Sequence, residues 1–170
     1  MEVWFTADTH FGHKNIIAYE NRPFNSVEEM DEELIDNWNS YVEPYDLIFH
    51  LGDVFFYNSK KQQEMIPRLN GRKILIRGNH DEGYSDSKFH QLGFDVHNYY
   101  IFDKFLLSHY PQQEEALWEL ILQTDIIGNV HGHVHSRIQG LDQNIYKCVS
   151  VELGQYRPFH IDEIYRHFGR

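Results

Sequence analysis

The feature that most restricts how this 170-residue chain can fold is the way its short apolar runs stop. Residues 2–7 give way at once to Asp8-Thr9-His10, residues 46–51 to Gly52-Asp53, and residues 73–77 to Gly78-Asn79-His80-Asp81. Runs this short, rich in branched and aromatic residues and closed by Gly, Asp and Asn, predict buried strands rather than helices. The stretches between them carry helical spacing instead. Ser26 and Glu29 make a capping-box pattern ahead of Met30, Leu34, Ile35 and Trp38, which share one helical face, and Pro44 helps to end that helix. A second helix is expected over residues 59–69. Strand, helix, strand, helix, strand implies parallel crossovers, which is how an α/β fold begins. Further strands are expected at 94–100, 101–108, 125–130 and 145–151, with helices at 114–123 and 161–168. With no repeat or linker-like stretch visible, residues 1–170 read as one domain of mixed sheets covered by helices.

Composition excludes several classes of function. An apolar fraction of 41% is enough for an ordinary core. No run approaches the roughly 18 apolar residues of a membrane-spanning helix, and residues 1–5 lack the basic and apolar stretches of an export signal. A cytoplasmic protein that does not engage membranes is expected. The single Cys148 excludes an intrachain disulfide and a Cys-based zinc site. A formal charge of −11 argues against a stable nucleic-acid complex, but a locally cationic cleft for a small phosphorylated substrate remains compatible with it.

Ligands of open α/β sheets bind beyond the carboxyl ends of the strands, so the residues that end these runs should gather in space. They are Asp8, His10, Asp53, Asn79, His80, His109, His131, His133 and His135, and six of the twelve histidines are among them. In extended chain, residues two apart point the same way, which pairs Asp8 with His10 and aligns His131, His133 and His135. Asp53, on the Gly52 turn, carries two carboxylate oxygens and can bridge a pair of cations about 3.5–4 Å apart, as in two-metal hydrolases. Imidazole, carboxylate and amide oxygen together suit manganese, iron, zinc, cobalt or nickel better than calcium. A lone Asp here would be a turn former and a lone His an ordinary polar residue. The ordered set is what carries the reading.

Asp8-Thr9-His10, Gly52-Asp53, Gly78-Asn79-His80-Asp81, Ser108-His109 and Gly132-His133-Val134-His135 resemble, in order, the five blocks of the calcineurin-like metallophosphoesterase superfamily. Within it, the chain is similar to small phosphoesterases of bacteria and phages that begin with Asp-Thr-His-Phe-Gly-His. The resemblance implies a four-layer α/β/β/α sandwich of two mixed β-sheets and two divalent metal ions, manganese first. One ion would take Asp8, His10, Asp53 and His135. The other would take Asp53, Asn79, His109 and His133, with Asp53 and a water or hydroxide as bridges. His80 is then no ligand but a catalytic residue near the scissile phosphate, stabilising charge or protonating the leaving oxygen, with Asp81 the candidate to orient its ring. His13, His50 and His131 are weaker candidates for holding ligands in place.

The chain departs from the Ser/Thr phosphatase and dinucleoside tetraphosphatase branches, because Asp53 is followed by Val54-Phe55-Phe56-Tyr57 rather than by a second Asp and Arg-Gly. No stretch is left over for a cap domain, so an open cleft edged by residues 21–24 and 55–57 is expected. Arg22 is expected to clamp a substrate phosphate, and the aromatic loop either stacks a nucleobase or packs inward. The resulting expectation is hydrolysis of a phosphodiester, or also a monoester, in a small nucleotide-like substrate. The alternatives are a phosphoesterase-fold docking scaffold and a nuclease acting on short oligonucleotides.

Overall fold

The computed structural model describes residues 1–169. Alternation along the first strands sets the layering. In β1 (Val3–Thr6), β2 (Leu47–His50) and β3 (Arg72–Ile76), Trp4, Ile48 and Leu75 face outward into one apolar cluster. Phe5, Phe49, Ile74 and Ile76 face the other way into a second cluster. The period of two along a strand makes both faces apolar, so this sheet must be covered on both sides.

The outward cluster is covered by α2 (Val27–Tyr41), which buries Met30, Leu34, Ile35 and Trp38, and by α3 (Ser59–Met65) and α4 (Asp86–Gln91). Each of those large apolar side chains contributes roughly 1.5–3 kcal/mol when fully buried. Ser26 Oγ accepts from Glu29 N at 3.1 Å, as the sequence predicts, while the Glu29 carboxylate reaches back to Asn25 N at 2.6 Å. The inward cluster meets Phe105, Leu107 and Val130 of a second sheet. That sheet comprises β5 (Tyr99–Phe102), β6 (Phe105–Ser108), β7 (Gly128–His131) and β8 (Tyr146–Cys148), in that order. On its far side, Leu117 of α5 (Glu114–Gln123) packs against Tyr146 and Leu106. Helix, sheet, sheet, helix is the expected four-layer sandwich.

The first sheet runs β4-β3-β2-β1-β9, where β4 is Phe94–His97 and β9 is Phe159–His160. β1 to β4 are parallel and β9 is antiparallel, while in the second sheet β5 is antiparallel and the rest parallel. Both sheets are mixed, and an isolated parallel bridge between Ala7 and Ser150 connects them next to the ends of β1 and β8. α6 (Ile161–His167) adds Ile164 to the inter-sheet core.

Several elements differ from those predicted. The apolar stretch 94–108 crosses from one sheet to the other at Asn98, so it yields three strands rather than two. The helix expected over 59–69 stops at Met65 and tightens into a 3-10 turn, Ile66–Arg68, where Pro67 has no N–H to continue the ladder. The short α1 (Ile16–Tyr19), α4 and β9 carry no periodic signal and went unforeseen.

Candidate metal centre

The five expected blocks lie at the carboxyl ends of β1, β2, β3, β6 and β7, but the backbone there is not extended. Asp8, His10, Asp53, His133 and His135 all have φ between 50° and 66°, in the left-handed region. Thus Asp8 and His10 do not converge by strand pleating, as the sequence spacing suggests. They converge because two left-handed residues fold the segment back, and Asp8 N and His10 N donate to Gly52 O and Asp53 O at 3.0 and 3.1 Å. Such conformations cost non-glycine residues roughly 1–2 kcal/mol each, and they cluster at functional sites.

The side chains form two donor sets. Asp8, His10 and His135 each bring one ligand atom within 4.8 Å of the others, and Asp53, His109 and His133 do the same. Asp53 faces both sets. Its Oδ2 lies 3.5 Å from His10 Nε2, and its Oδ1 lies 3.6 Å from His109 Nε2. Asn79 Oδ1 approaches the second set, 3.0 Å from His109 Nε2. The approach needs glycine behind it: a Cβ on Gly78 would sit 2.3 Å from Asp53 Oδ1, and one on Gly52 would sit 2.3 Å from His109 Nδ1.

Hydrogen bonds aim the rings. His109 Nδ1 donates to Leu51 O at 2.7 Å, which leaves the Nε2 lone pair toward Asn79 and Asp53. His135 Nδ1 donates to Glu152 Oε1 at 2.9 Å and frees its Nε2 in the same way. Burial, with Arg22 and neighbouring rings adding to it, pushes His10 far below the ordinary imidazole range, and burial likewise lowers His109 and His133. These rings are therefore neutral and able to ligate. Burial also lifts the Asp8 carboxyl to about 7 against the pull of His135 and Ser150, and lifts Asp53 and Asp81. For His135, burial lowers the pKa but the Glu152 hydrogen bond and Asp8 outweigh it, so the net direction is up.

A cation fits this donor set. His10 is 2% exposed, and neither ring nitrogen has a hydrogen-bond partner among the described residues. An unpartnered buried polar group costs roughly 1–3 kcal/mol, and carboxylates held above their normal pKa add to that cost. Positive charge between Asp8, Asp53 and the imidazoles relieves both. A third group, Glu20 with His135 and Glu152, already has its positive charge from Arg137 and Arg22.

Two expected roles are corrected. Arg22 is not at the cleft: its side chain is 0% exposed and its donors are engaged. Nε and Nη2 bind Glu152 Oε1 at 3.0 and 2.7 Å, Nη1 binds Thr9 O at 2.8 Å and Met30 Sδ at 3.4 Å, and Nη2 binds Asp8 O at 2.6 Å. It braces the first ligand loop from behind. Asp81 does not touch the His80 ring. Its Oδ2 accepts from Gly78 N and Asp53 N, both at 2.8 Å, and its Oδ1 accepts from Val54 N at 3.1 Å, so it fixes the turn that presents Asp53.

His80 stands at the mouth, 43% exposed and 3.9 Å from Asp53 Oδ2, while its backbone N–H donates to Asp53 Oδ1 at 2.9 Å. His131 is buried, bonded through Nδ1 to Gly132 O, and held down to about 4 by burial, so it joins neither donor set. His50 contacts Thr9 Oγ1 at 2.9 Å under the first loop. In the aromatic loop, Phe55 packs inward against Phe89 and Tyr84, Tyr57 bonds Asp31, and Phe56 lies between His13 and His80. A cavity of about 260 Å³ opens over His80, Asn79, His133 and His135. A larger one of about 420 Å³ beside Trp118 and Phe168 has no imidazole in its walls.

A profile of calcineurin-like phosphoesterases matches residues 1–167. The chain belongs to that family. As a calcineurin-like phosphoesterase it has the metal dependence that its two donor sets are built for. It is 37% identical over 172 residues to an uncharacterised protein of Methanocaldococcus jannaschii, covering 96% of this chain and 89% of that one. Its fold is similar to the crystal structure of a protein of unknown function from Aquifex aeolicus, with a TM-score of 0.78, 29% identity and coverage of 97% and 98% of the two chains. A nuclease of Pseudomonas putida shares the fold at a TM-score of 0.52 and 22% identity, covering 78% of this chain and 60% of that one.

Two contributors to this phosphoesterase site escaped sequence reading. Glu152 gathers Arg22 and His135, and Ser150 Oγ donates to Asp8 Oδ2 at 2.5 Å. The signal was the same one that found the others: Ser150 and Glu152 punctuate the end of the apolar run that forms β8. Among the described residues, no helix is long and apolar enough to cross a membrane.

Proposed function

We propose that the protein hydrolyses phosphodiester bonds in a small, nucleotide-like substrate. Asp8, His10, Asp53 and His135 would hold one divalent ion, and Asp53, Asn79, His109 and His133 a second, with manganese the best match to the mixed donors. Bound there, such a pair supplies Lewis acidity, polarising phosphoryl oxygens and acidifying a water. The observation that carries the reading is the division of the Asp53 carboxylate, one oxygen toward each donor set.

His80 is the general acid of this proposal. It is half-exposed at the mouth, outside both donor sets, and its backbone N–H fixes it to Asp53. A poor alkoxide leaving group needs a proton, and a positioned imidazole contributes roughly 10²–10⁴-fold. Asp81 acts on the reaction by presenting Asp53, and Glu152 by orienting His135.

The test uses Mn²⁺-loaded protein with bis-p-nitrophenyl phosphate and with an alkyl phosphodiester. His80→Ala should keep its metal content, retain most turnover of the nitrophenyl ester, whose leaving group needs no proton, and lose roughly 10²-fold or more on the alkyl ester. Equal rates on the alkyl ester in both proteins would remove the role of His80. No turnover by wild type with any common divalent ion would favour the docking-scaffold alternative.

A further inference from the structure

With Arg22 committed inside the protein, the guanidinium at the cleft is a different one. Arg137, two residues past His135, lines the cavity with a side chain 63% exposed. Its Nη1 donates to Glu20 Oε1 at 2.7 Å, and among the described residues that is the side chain's one hydrogen bond. A guanidinium carries five N–H donors in a planar fork, so most of this one is open. Glu20, whose side chain is 6% exposed, serves as a fixed anchor for it. Among the residues lining the cleft, Arg137 alone carries a permanent positive charge.

The same cavity also carries an aromatic ring. Tyr19, at the end of α1 and next to Glu20 in the chain, lines it and is 67% exposed. Its ring stands edge-on to His13, with centroids 6.2 Å apart. Phe56 is the competing platform near the donor sets, but His13 covers one of its faces at 4.0 Å and 18°. Tyr19 therefore offers the open aromatic surface, and the Glu20–Arg137 ion pair keeps the guanidinium close to it.

We propose that Tyr19 and Arg137 form a nucleoside-monophosphate subsite: Arg137 grips a non-bridging phosphate oxygen, and the base stacks on the Tyr19 ring. This deepens the phosphoesterase reading above and rests on it. The chemistry matches a planar π-face joined to an anion, and Arg137 is the one permanently cationic side chain among those lining this cavity.

Calorimetric titration of Mn²⁺-loaded protein with thymidine 5′-monophosphate, thymidine and inorganic phosphate tests it, alongside kinetics on thymidine 5′-(p-nitrophenyl phosphate) and methyl p-nitrophenyl phosphate. Arg137→Ala should weaken thymidine 5′-monophosphate and phosphate alike by about tenfold or more, with Arg137→Lys partly restoring both. Tyr19→Ala should weaken thymidine 5′-monophosphate about tenfold and leave phosphate unchanged. On the thymidine ester, each Ala variant should raise KM with kcat nearly constant, and Tyr19→Ala should leave the methyl ester untouched. Unchanged thymidine 5′-monophosphate affinity in both variants, with melting temperatures retained, overturns the subsite. If Arg137→Ala does not fold, Arg137→Lys and the exposed Tyr19→Ala decide. Wild type that hydrolyses neither ester removes the phosphoesterase reading itself, whereas active wild type with indifferent variants removes only this subsite.

Discussion

The sharpest test of the divided carboxylate is a single methyl group at Gly78. The backbone there is extended, with φ −94° and ψ 172°, so Gly78→Ala introduces no conformational strain of its own. The added Cβ would lie 2.3 Å from Asp53 Oδ1 and 2.5 Å from Asp53 N. Ordinary contact begins near about 3.5 Å, so either the Asp53 carboxylate or its peptide must move by about 1 Å. Asp53 cannot yield freely, because Asp81 holds its N–H at 2.8 Å and its own Oδ1 accepts from His80 N at 2.9 Å. Overpacking of this kind costs roughly 1–3 kcal/mol of stability. Moving a reacting constellation by about 1 Å costs about 10²-fold in turnover. The internal control is Gly83→Ala, a few residues on, where a Cβ would meet nothing within 4 Å. Both variants are measured for bound metal per chain, thermal midpoint and kcat on bis-p-nitrophenyl phosphate. The expected pattern is lost second-ion occupancy and about 10²-fold lower kcat for Gly78→Ala, with Gly83→Ala close to wild type. Full metal content and normal kcat in Gly78→Ala would refute the argument that Asp53 must sit where it does.

Other consequences follow from charge. Glu152→Gln leaves the guanidinium of Arg22 buried without its carboxylate, which should cost roughly 3–5 kcal/mol in urea unfolding, and it loosens the aim of His135, which should weaken metal affinity roughly 10- to 100-fold. A loss of stability without any change in metal affinity would separate the two effects and discard the second. In chelated protein, Asp8 titrates near 7 when folded and at its ordinary 3.8 when unfolded, so the folded state holds the extra proton between those values. Its contribution to stability is full below about 3.8 and is lost as pH rises through about 7. Relative to Asp8→Asn, metal-free wild type should therefore lose on the order of 3 kcal/mol between pH 5 and 8, and added Mn²⁺ should abolish the loss. A flat difference across that range in urea titrations would contradict the burial of Asp8 as the cause.

The layering was legible because strand alternation in β1, β2 and β3 supplies two apolar faces, and two faces require two covers. The ligand types were legible because they stand where apolar runs end. What the letters do not carry is the direction of a side chain once the strand is over. Arg22 reads as a loop guanidinium whether it faces phosphate or, as here, the backbone of Asp8 and Thr9. Asp81 reads as a neighbour of His80, yet the 3-10 turn Asn79–Asp81 points it back to Gly78 and Asp53. Asn98 gives no sign that the chain changes sheets there, because both sheets accept the same apolar residues. Arg137 carried no weight in isolation, since only the folded chain brings it to the same cavity as Tyr19.

The left-handed turns at Asp8, His10, Asp53, His133 and His135 also dictate which substitutions give a clean readout. Asparagine enters that backbone region several times more readily than alanine. An alanine scan of this centre would therefore mix a missing ligand with a relaxing loop and overstate the ligand's share. Asparagine in place of aspartate keeps the loop's shape while removing the charge and one ligand oxygen, so the gap between the Asn and Ala variants at one position measures how much of the site's geometry the backbone itself enforces.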